Sequence, residues 1–174
     1  MSRAAWLGLF ALALGCERAT PEPTRSSSSS ALASSSASAR PSAVVKGSVR
    51  IKPAPSGDVA TAVRAARAKE SAEGRTLLVY VGATWCEPCL RFHDAAKSGS
   101  LDPRFPTLTL MEFDLDEDRA RLKRAGYESQ YVPLFALPNE DGTASGKMVE
   151  GASSKGEGAV SDIARRLRTL VETK

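Results

Sequence analysis

The sequence predicts an α/β domain, a central mixed β-sheet flanked by helices, preceded by a disordered N-terminal tether. Three observations predict it. From about Val44 onward the apolar spacing becomes regular, switching between helical spacing and short continuous or alternating runs, as expected when helices and strands interleave along one chain. Leu77 to Val81 is apolar apart from one phenolic oxygen, as a strand covered on both faces should be. Ahead of these elements, positions 17–43 hold ten serines and no aromatic residue, so nothing there can offset the entropy of ordering the chain.

Taken from the amino terminus, Met1 to Gly15 carries one early cation, Arg3, and then an eleven-residue apolar run from Ala4 to Leu14. A spanning helix needs about 20 apolar residues, so residues 1–15 are expected to be a signal peptide for export rather than an anchor. The run stops at Leu-Gly-Cys, and this ending resembles the lipobox of bacterial lipoproteins, with Ala13 and Leu14 where that motif prefers Leu and a small residue. The resemblance implies a signal peptide of lipoprotein type and lipid attachment at Cys16. Ordinary cleavage after Ala11-Leu12-Ala13 is the alternative, and it also exports the chain. Residues 16–55 are expected to form a Ser/Ala/Pro-rich linker, with an r.m.s. reach of roughly 30 Å for about 30 residues, and residues 56–174 the folded domain.

Within the linker, Val44 to Lys52 alternates weakly and is compatible with a short strand that Pro53 and Pro55 would end. Val59, Ala62, Val63 and Ala66 repeat at helical spacing, with Ser56 or Asp58 as cap and Gly74 beyond the end. After the strand Leu77–Val81, Gly82-Ala83-Thr84 makes a turn. A helix then starts near Cys86 and runs to about Lys97, with Pro88 in its first turn, where a missing N–H costs nothing. Thr107 to Leu115 reads as a strand, Asp116 to Ala125 as a charged helix, and Val132 to Leu137 as a strand. Asn139 to Gly142 is a hairpin turn, and Lys147 to Glu150 the return strand. Val160, Ile163, Ala164, Leu167, Leu170 and Val171 mark a closing amphipathic helix.

Charge excludes one class of partner. The net charge is +4, and loss of residues 1–15 with Arg3 leaves +3. The basic cluster Arg165, Arg166 and Arg168 sits on an amphipathic helix as a solvated face, so no nucleic acid is expected as a partner.

Of the three cysteines, Cys16 belongs to the leader, and Cys86 and Cys89 form a C-x-x-C. Disulfide exchange needs an attacking thiolate, a second thiol to resolve the mixed disulfide, and access for the partner sulfur. Cys86, at a helix amino terminus, has the backbone N–H groups and dipole that stabilise a thiolate, lowering its pKa from about 8.5. Cys89 lies one turn on, within bonding reach and more buried. Cys86 is therefore expected to attack, partly exposed, and Cys89 to resolve. Trp85, Glu87 and Pro88 support the site, Glu87 opposing the thiolate mildly and Pro88 stiffening the turn. Competing readings are a zinc site, for which only His93 is at hand, and an inert disulfide. No metal and no cofactor is expected. His93 could be an ordinary side chain, a proton acceptor for the thiols, or a ligand.

An apolar strand, a small turn, Trp-Cys-x-Pro-Cys, a Val-Pro forty-odd residues on, a β-hairpin and a closing helix together resemble the thioredoxin superfamily over about Ser56 to Lys174. The resemblance implies a thioredoxin-like fold and a cis proline at Pro133, beside the dithiol, with Val132 pairing the bound substrate chain in a groove. Trp85-Cys86, Cys89-Leu90-Arg91-Phe92 and the charged 114–124 segment resemble the carboxy-terminal domain of DsbD-type transporters, and Cys-Glu-Pro-Cys resembles the tethered ResA/TlpA-type oxidoreductases. Two positions depart from the family. Tyr80 stands where thioredoxins carry a buried aspartate, and Leu134 follows the proline where threonine is usual.

The expectation is a thiol–disulfide oxidoreductase acting on protein disulfides outside the cytoplasm, as a periplasm-facing membrane lipoprotein or, with ordinary cleavage, a soluble secreted protein. Its partners would be client proteins with disulfides or thiols, a membrane through the lipid anchor, and a membrane redox partner that recharges the dithiol, because exported compartments are oxidising. The alternative is a binding or chaperone module with an idle cysteine pair, or one delivering copper with His93 as third ligand.

Overall fold

The computed structural model describes residues 47–172. The signal peptide 1–15, lipid attachment at Cys16 and the linker up to residue 46 lie outside the described residues.

Among the described residues nine elements follow in chain order: β1 (Arg50–Pro53), α1 (Val59–Ala72), β2 (Thr76–Gly82), α2 (Glu87–Lys97), β3 (Leu108–Asp114), α3 (Leu115–Arg124), β4 (Leu134–Pro138), β5 (Ala144–Glu150) and α4 (Gly158–Glu172). They build one mixed sheet in the order β1-β3-β2-β4-β5. β1 and β2 run parallel to β3, while β4 is antiparallel to both β2 and β5. This is the thioredoxin-like arrangement that the sequence resemblance implied.

The continuous apolar run in β2 has a direct explanation. Its alternate residues feed two cores. Leu78 and Tyr80 pack with Phe92 and Ala96 of α2 and with Ile163 and Leu167 of α4. Leu77, Val79 and Val81 pack with Val59 and Val63 of α1 and Leu122 of α3. All seven β2 residues are buried. Tyr80, Phe92 and Phe135 form an aromatic triad on the first side, with ring centroids 4.8 to 6.0 Å apart, within the favourable range for offset and edge contacts.

Caps fix where the helices begin. Asp58 Oδ1 accepts the Thr61 N–H at 2.8 Å at the start of α1, and this bond holds its carboxyl below the usual carboxylate range. Asp114 does the same for α3, accepting from Asp116 and Glu117. The hairpin turn packs onto α1 so closely that a Cβ at Gly142 would lie 2.0 Å from the Ala60 carbonyl oxygen, and its φ of +87° also requires glycine.

Three expectations need correction. The ordered domain does not begin at residue 56: β1 lies within the segment assigned to the linker and pairs with β3 from Arg50 to Pro53. Its four residues carry little pattern of their own, and the edge of β3 supplies their partners. β4 begins at Leu134, two residues after the expected start, and the Val132–Pro133 peptide ahead of it is cis. β5 begins at Ala144, three residues before the expected return strand.

Beside the start of β2 is a buried polar cluster. Glu70 and Thr109 are 1% and 0% exposed, and Arg75 is also buried. Thr109 donates to Glu70 Oε2 at 2.6 Å and accepts from Arg75 Nε at 2.9 Å. Arg75 also donates to the Ser48 and Leu108 carbonyls at 2.7 and 2.5 Å, and Lys52 closes onto Glu70. Burial pushes the Glu70 carboxyl up, but the Lys52 and Thr109 hydrogen bonds and the nearby cations outweigh it and hold it below its ordinary value.

Candidate functional site

Strand β2 ends at Gly82, and Ala83, Thr84 and Trp85 turn the chain into α2. Cys86 is the N-cap of that helix. Its N–H donates to the Ala83 carbonyl at 3.1 Å and its carbonyl accepts from Leu90 at 3.1 Å. Its sulfur accepts the Cys89 N–H at 3.3 Å. The Cys89 N–H that meets the sulfur is one of the donors a helix amino terminus leaves without an intrahelical partner, and such a donor stabilises a thiolate. Cys86 and Cys89 are joined as a disulfide.

The predicted partial exposure of Cys86 is not met in this oxidised form. Cys86 is 4% exposed and Cys89 2%, because Ala83, Leu115 and Val132 pack against the bridge. Exposure is found instead in the flanking side chains. Trp85, Leu90 and Tyr131 are the three exposed large hydrophobics among the described residues, at 63%, 51% and 63%. One precedes Cys86, one follows Cys89, and one precedes Val132 in the loop against the bridge. Exposed apolar groups gathered in one place commonly mark a docking surface.

Trp85 is held rather than loose, since its Nε1–H donates to Asp116 Oδ2 at 2.8 Å. Glu87 is paired with Arg91, which also donates to Glu157 at 2.7 Å. The expected opposition of Glu87 to a thiolate is therefore offset by a cation on the same helix. Pro88 occupies the first turn as expected. The Val132–Pro133 peptide is cis. Pro133 is buried, and its carbonyl accepts the Gly151 N–H at 2.9 Å.

Behind Cys89 lies a cavity of about 160 Å³ that opens to solvent, lined by Tyr80, Gly82, Cys89, His93, Glu112 and their neighbours. Tyr80 donates its hydroxyl to the Cys89 carbonyl at 3.4 Å. Burial, with Glu112 adding to it, pushes the Tyr80 phenol far above its ordinary value, so it stays protonated. Gly82 leaves room for this approach: a Cβ there would lie 2.9 Å from the phenolic oxygen and 3.7 Å from Cys89 Cβ. His93 Nε2 meets Glu112 Oε1 at 3.2 Å. Among the described residues no group of three or more His, Cys, Asp or Glu side chains is placed to hold a metal ion.

Cys86, Cys89, Trp85, Glu87, Pro88, Val132 and Pro133 thus converge on one end of the sheet. Sequence reasoning missed Leu90, Tyr131, Glu112 and Asp116. Leu90 follows Cys89 directly and the fold reveals only its exposure, whereas Tyr131, Glu112 and Asp116 acquire their places from the tertiary fold.

No family model matches the chain, and no curated protein matches it. Solved structures do match. Thioredoxin O1 from Arabidopsis thaliana in its oxidized state is 20% identical over 73% of this chain and 97% of its own, with a TM-score of 0.44. Trichomonas vaginalis thioredoxin is 17% identical over 72% and 97%, with a TM-score of 0.46. Trxlp from Edwardsiella tarda is 22% identical over 66% and 96%, with a TM-score of 0.41.

Proposed function

We propose that the chain is a thiol–disulfide oxidoreductase that acts on protein disulfides outside the cytoplasm, as a reductant or isomerase. One observation carries the reading: the paired sulfurs sit at a helix amino terminus, Cys86 capping the helix and accepting an N–H from Cys89. A disulfide that only stabilised the fold would close a loop of very few residues and contribute little.

In the reductive direction, the reduced Cys86 thiolate attacks one sulfur of a client disulfide. A mixed disulfide forms and the other client sulfur leaves as a thiolate, taking a proton from solvent. The Cys89 thiol then loses its proton and attacks Cys86 Sγ. The second client sulfur leaves, and the bridge seen between Cys86 and Cys89 is restored. Two electrons pass from the dithiol to the client. Trp85, Leu90 and Tyr131 offer the apolar surface against which a client segment docks, with Val132 and Pro133 as the groove wall beside the sulfurs. Attack on the closed bridge requires Cys86 to swing outward, since it is 4% exposed.

Export and anchoring belong to the same proposal. Lipid attachment at Cys16 would hold the domain on a periplasm-facing membrane, and a membrane dithiol donor would return two electrons after each turnover. Cys16→Ser is expected to move the protein from the membrane fraction to the soluble one.

The test is thiol alkylation followed by mass measurement, with a disulfide-bonded protein as client. The wild-type protein should interconvert between forms differing by two alkylated cysteines and should reduce the client, and Cys86→Ser should lose both properties. The near-complete burial of Cys86 favours a second reading, an idle pair in a binding module. That reading gains if native protein keeps its bridge under reductant until it unfolds.

A further inference from the structure

We propose that His93 and Glu112 act as a pair to take the proton of the Cys89 thiol, through the cavity behind that residue. The inference rests on the oxidoreductase reading and adds to it the group that lets the buried thiol attack.

Resolution of the mixed disulfide needs Cys89 as a thiolate, yet its side chain is 2% exposed, and burial in apolar surroundings opposes ionisation. Some group must accept the proton. Tyr80 is the nearest polar side chain by hydrogen bond, but it donates to the Cys89 carbonyl and its phenol is pushed upward by burial, so it holds its proton and offers no base. The sheet register supplies the alternative. Tyr80 on β2 lies directly beside Glu112 on β3, so both side chains project to the same face, the one covered by α2. His93 is four residues past Cys89 on α2, one turn along the same helix face. Its Nε2 meets Glu112 Oε1 at 3.2 Å.

Cys89, His93 and Glu112 line one cavity of about 160 Å³, large and polar enough to hold a bridging water. Gly82 keeps that space open, because a Cβ there would press on the Tyr80 hydroxyl. Two other titratable side chains line the same cavity: Tyr80 from β2, which keeps its proton, and Asp114 at the end of β3.

The step balances as follows. The S–H bond of Cys89 breaks, its proton passes by way of cavity water to the His93–Glu112 pair, and the new thiolate attacks Cys86 Sγ. The Cys86–client bond breaks as the Cys86–Cys89 bond forms, and the client thiolate leaves. The pair later returns the proton to solvent through the cavity mouth.

The test mixes reduced protein with oxidised glutathione and follows two events over pH: mixed-disulfide formation at Cys86, then release of glutathione by Cys89. His93→Gln and Glu112→Gln should leave the first event unchanged. Each should slow the second near neutrality by roughly 10²-fold, the lower end of what a positioned proton acceptor contributes. The double variant should be no slower than either single one, and the gap should close at high pH, where hydroxide deprotonates the thiol. An unaltered release profile in either folded variant would overturn the pair. If wild type forms no mixed disulfide at all, the oxidoreductase reading itself fails, a different result. A second measurement needs no variant. The chain has one histidine, so its imidazole gives a single side-chain NMR titration. Coupling is reciprocal, so the midpoint should differ between oxidised and reduced wild-type protein, and identical midpoints would contradict the proposal.

Discussion

At the start of β2, Glu70, Arg75 and Thr109 lie buried with every charge met by another part of the chain. At its other end, Glu112 and His93 are half-buried and hold each other beside a cavity open to solvent. Both regions place a carboxylate against the same sheet, and both draw on β3, through Thr109 in one case and Glu112 in the other. They differ in closure. The first carboxylate is tied by Lys52, Thr109 and Arg75, so it stays ionised and fixed, as a buried charge must be if it is not to cost several kcal/mol. Among the described residues the second meets His93 alone, at a cavity that opens to solvent. A closed polar cluster positions strands, whereas an open one beside a sulfur has room for chemistry.

Four variants or conditions would break or sharpen this contrast. Cys89→Ser should have the largest effect, at the open end alone: turnover is lost while Cys86 still forms a mixed disulfide, which then accumulates and is seen by mass. Unfolding of the reduced variant should fall below that of reduced wild type by about 1–3 kcal/mol, because Cys89 is buried and the substitution puts a hydroxyl in an apolar place.

Glu70→Gln should do the reverse. Removing one member of a buried ion pair costs roughly 3–5 kcal/mol, read by denaturant unfolding, while the thiol-exchange rate of the folded protein stays at its wild-type value. A change in exchange rate without loss of stability would erase the distinction between the two ends.

Acid should act on the closed end as well. The Glu70 carboxyl is held below its ordinary value of 4.5, and Asp162, bonded by the Ser153 N–H and by Arg165, below 3.8. The unfolded chain binds more protons than the native one in this window, so the stability these groups contribute is present above about pH 4.5 and falls as pH drops through their native values. Glu70→Gln should flatten the slope of unfolding free energy below about pH 4.5.

The smallest effect is expected for Tyr80→Phe. It removes only a 3.4 Å hydrogen bond to the Cys89 carbonyl and keeps the ring between Phe92 and Phe135. The cost should be at most about 1 kcal/mol, with no change in the pH profile of resolution, because the phenol stays protonated.

The contrast also explains what could be read from the chain. Leu77 to Val81, the Asp58 cap, the Cys86 helix start and the closing helix were legible because each is a local pattern of period or cap. Cys86, Cys89, Trp85, Glu87 and Pro88 were found because they are contiguous, and Val132-Pro133 because a family resemblance supplied it. β1 escaped assignment to the domain, since four residues at a sheet edge take their order from β3 rather than from their own spacing. Glu112 and Asp116 escaped for a related reason. In sequence they are two carboxylates in an acidic stretch, and only the β2–β3 register and the packing of α2 and α3 bring them to His93 and Trp85. The burial of Cys86 could not be read either, because it comes from Leu115 and Val132, distant in sequence, packing against the bridge.

Whether the open end is a working dithiol is tested most directly by equilibrating folded protein with graded ratios of reduced and oxidised glutathione and counting alkylated thiols. A single reversible two-electron transition at Cys86 and Cys89 is expected, with circular dichroism unchanged across it. Its midpoint should lie on the reducing side of glutathione's working range, toward about −270 mV, rather than near −120 mV as for a strong oxidant. A bridge that remains closed at every ratio, or opens only as the protein unfolds, would contradict it.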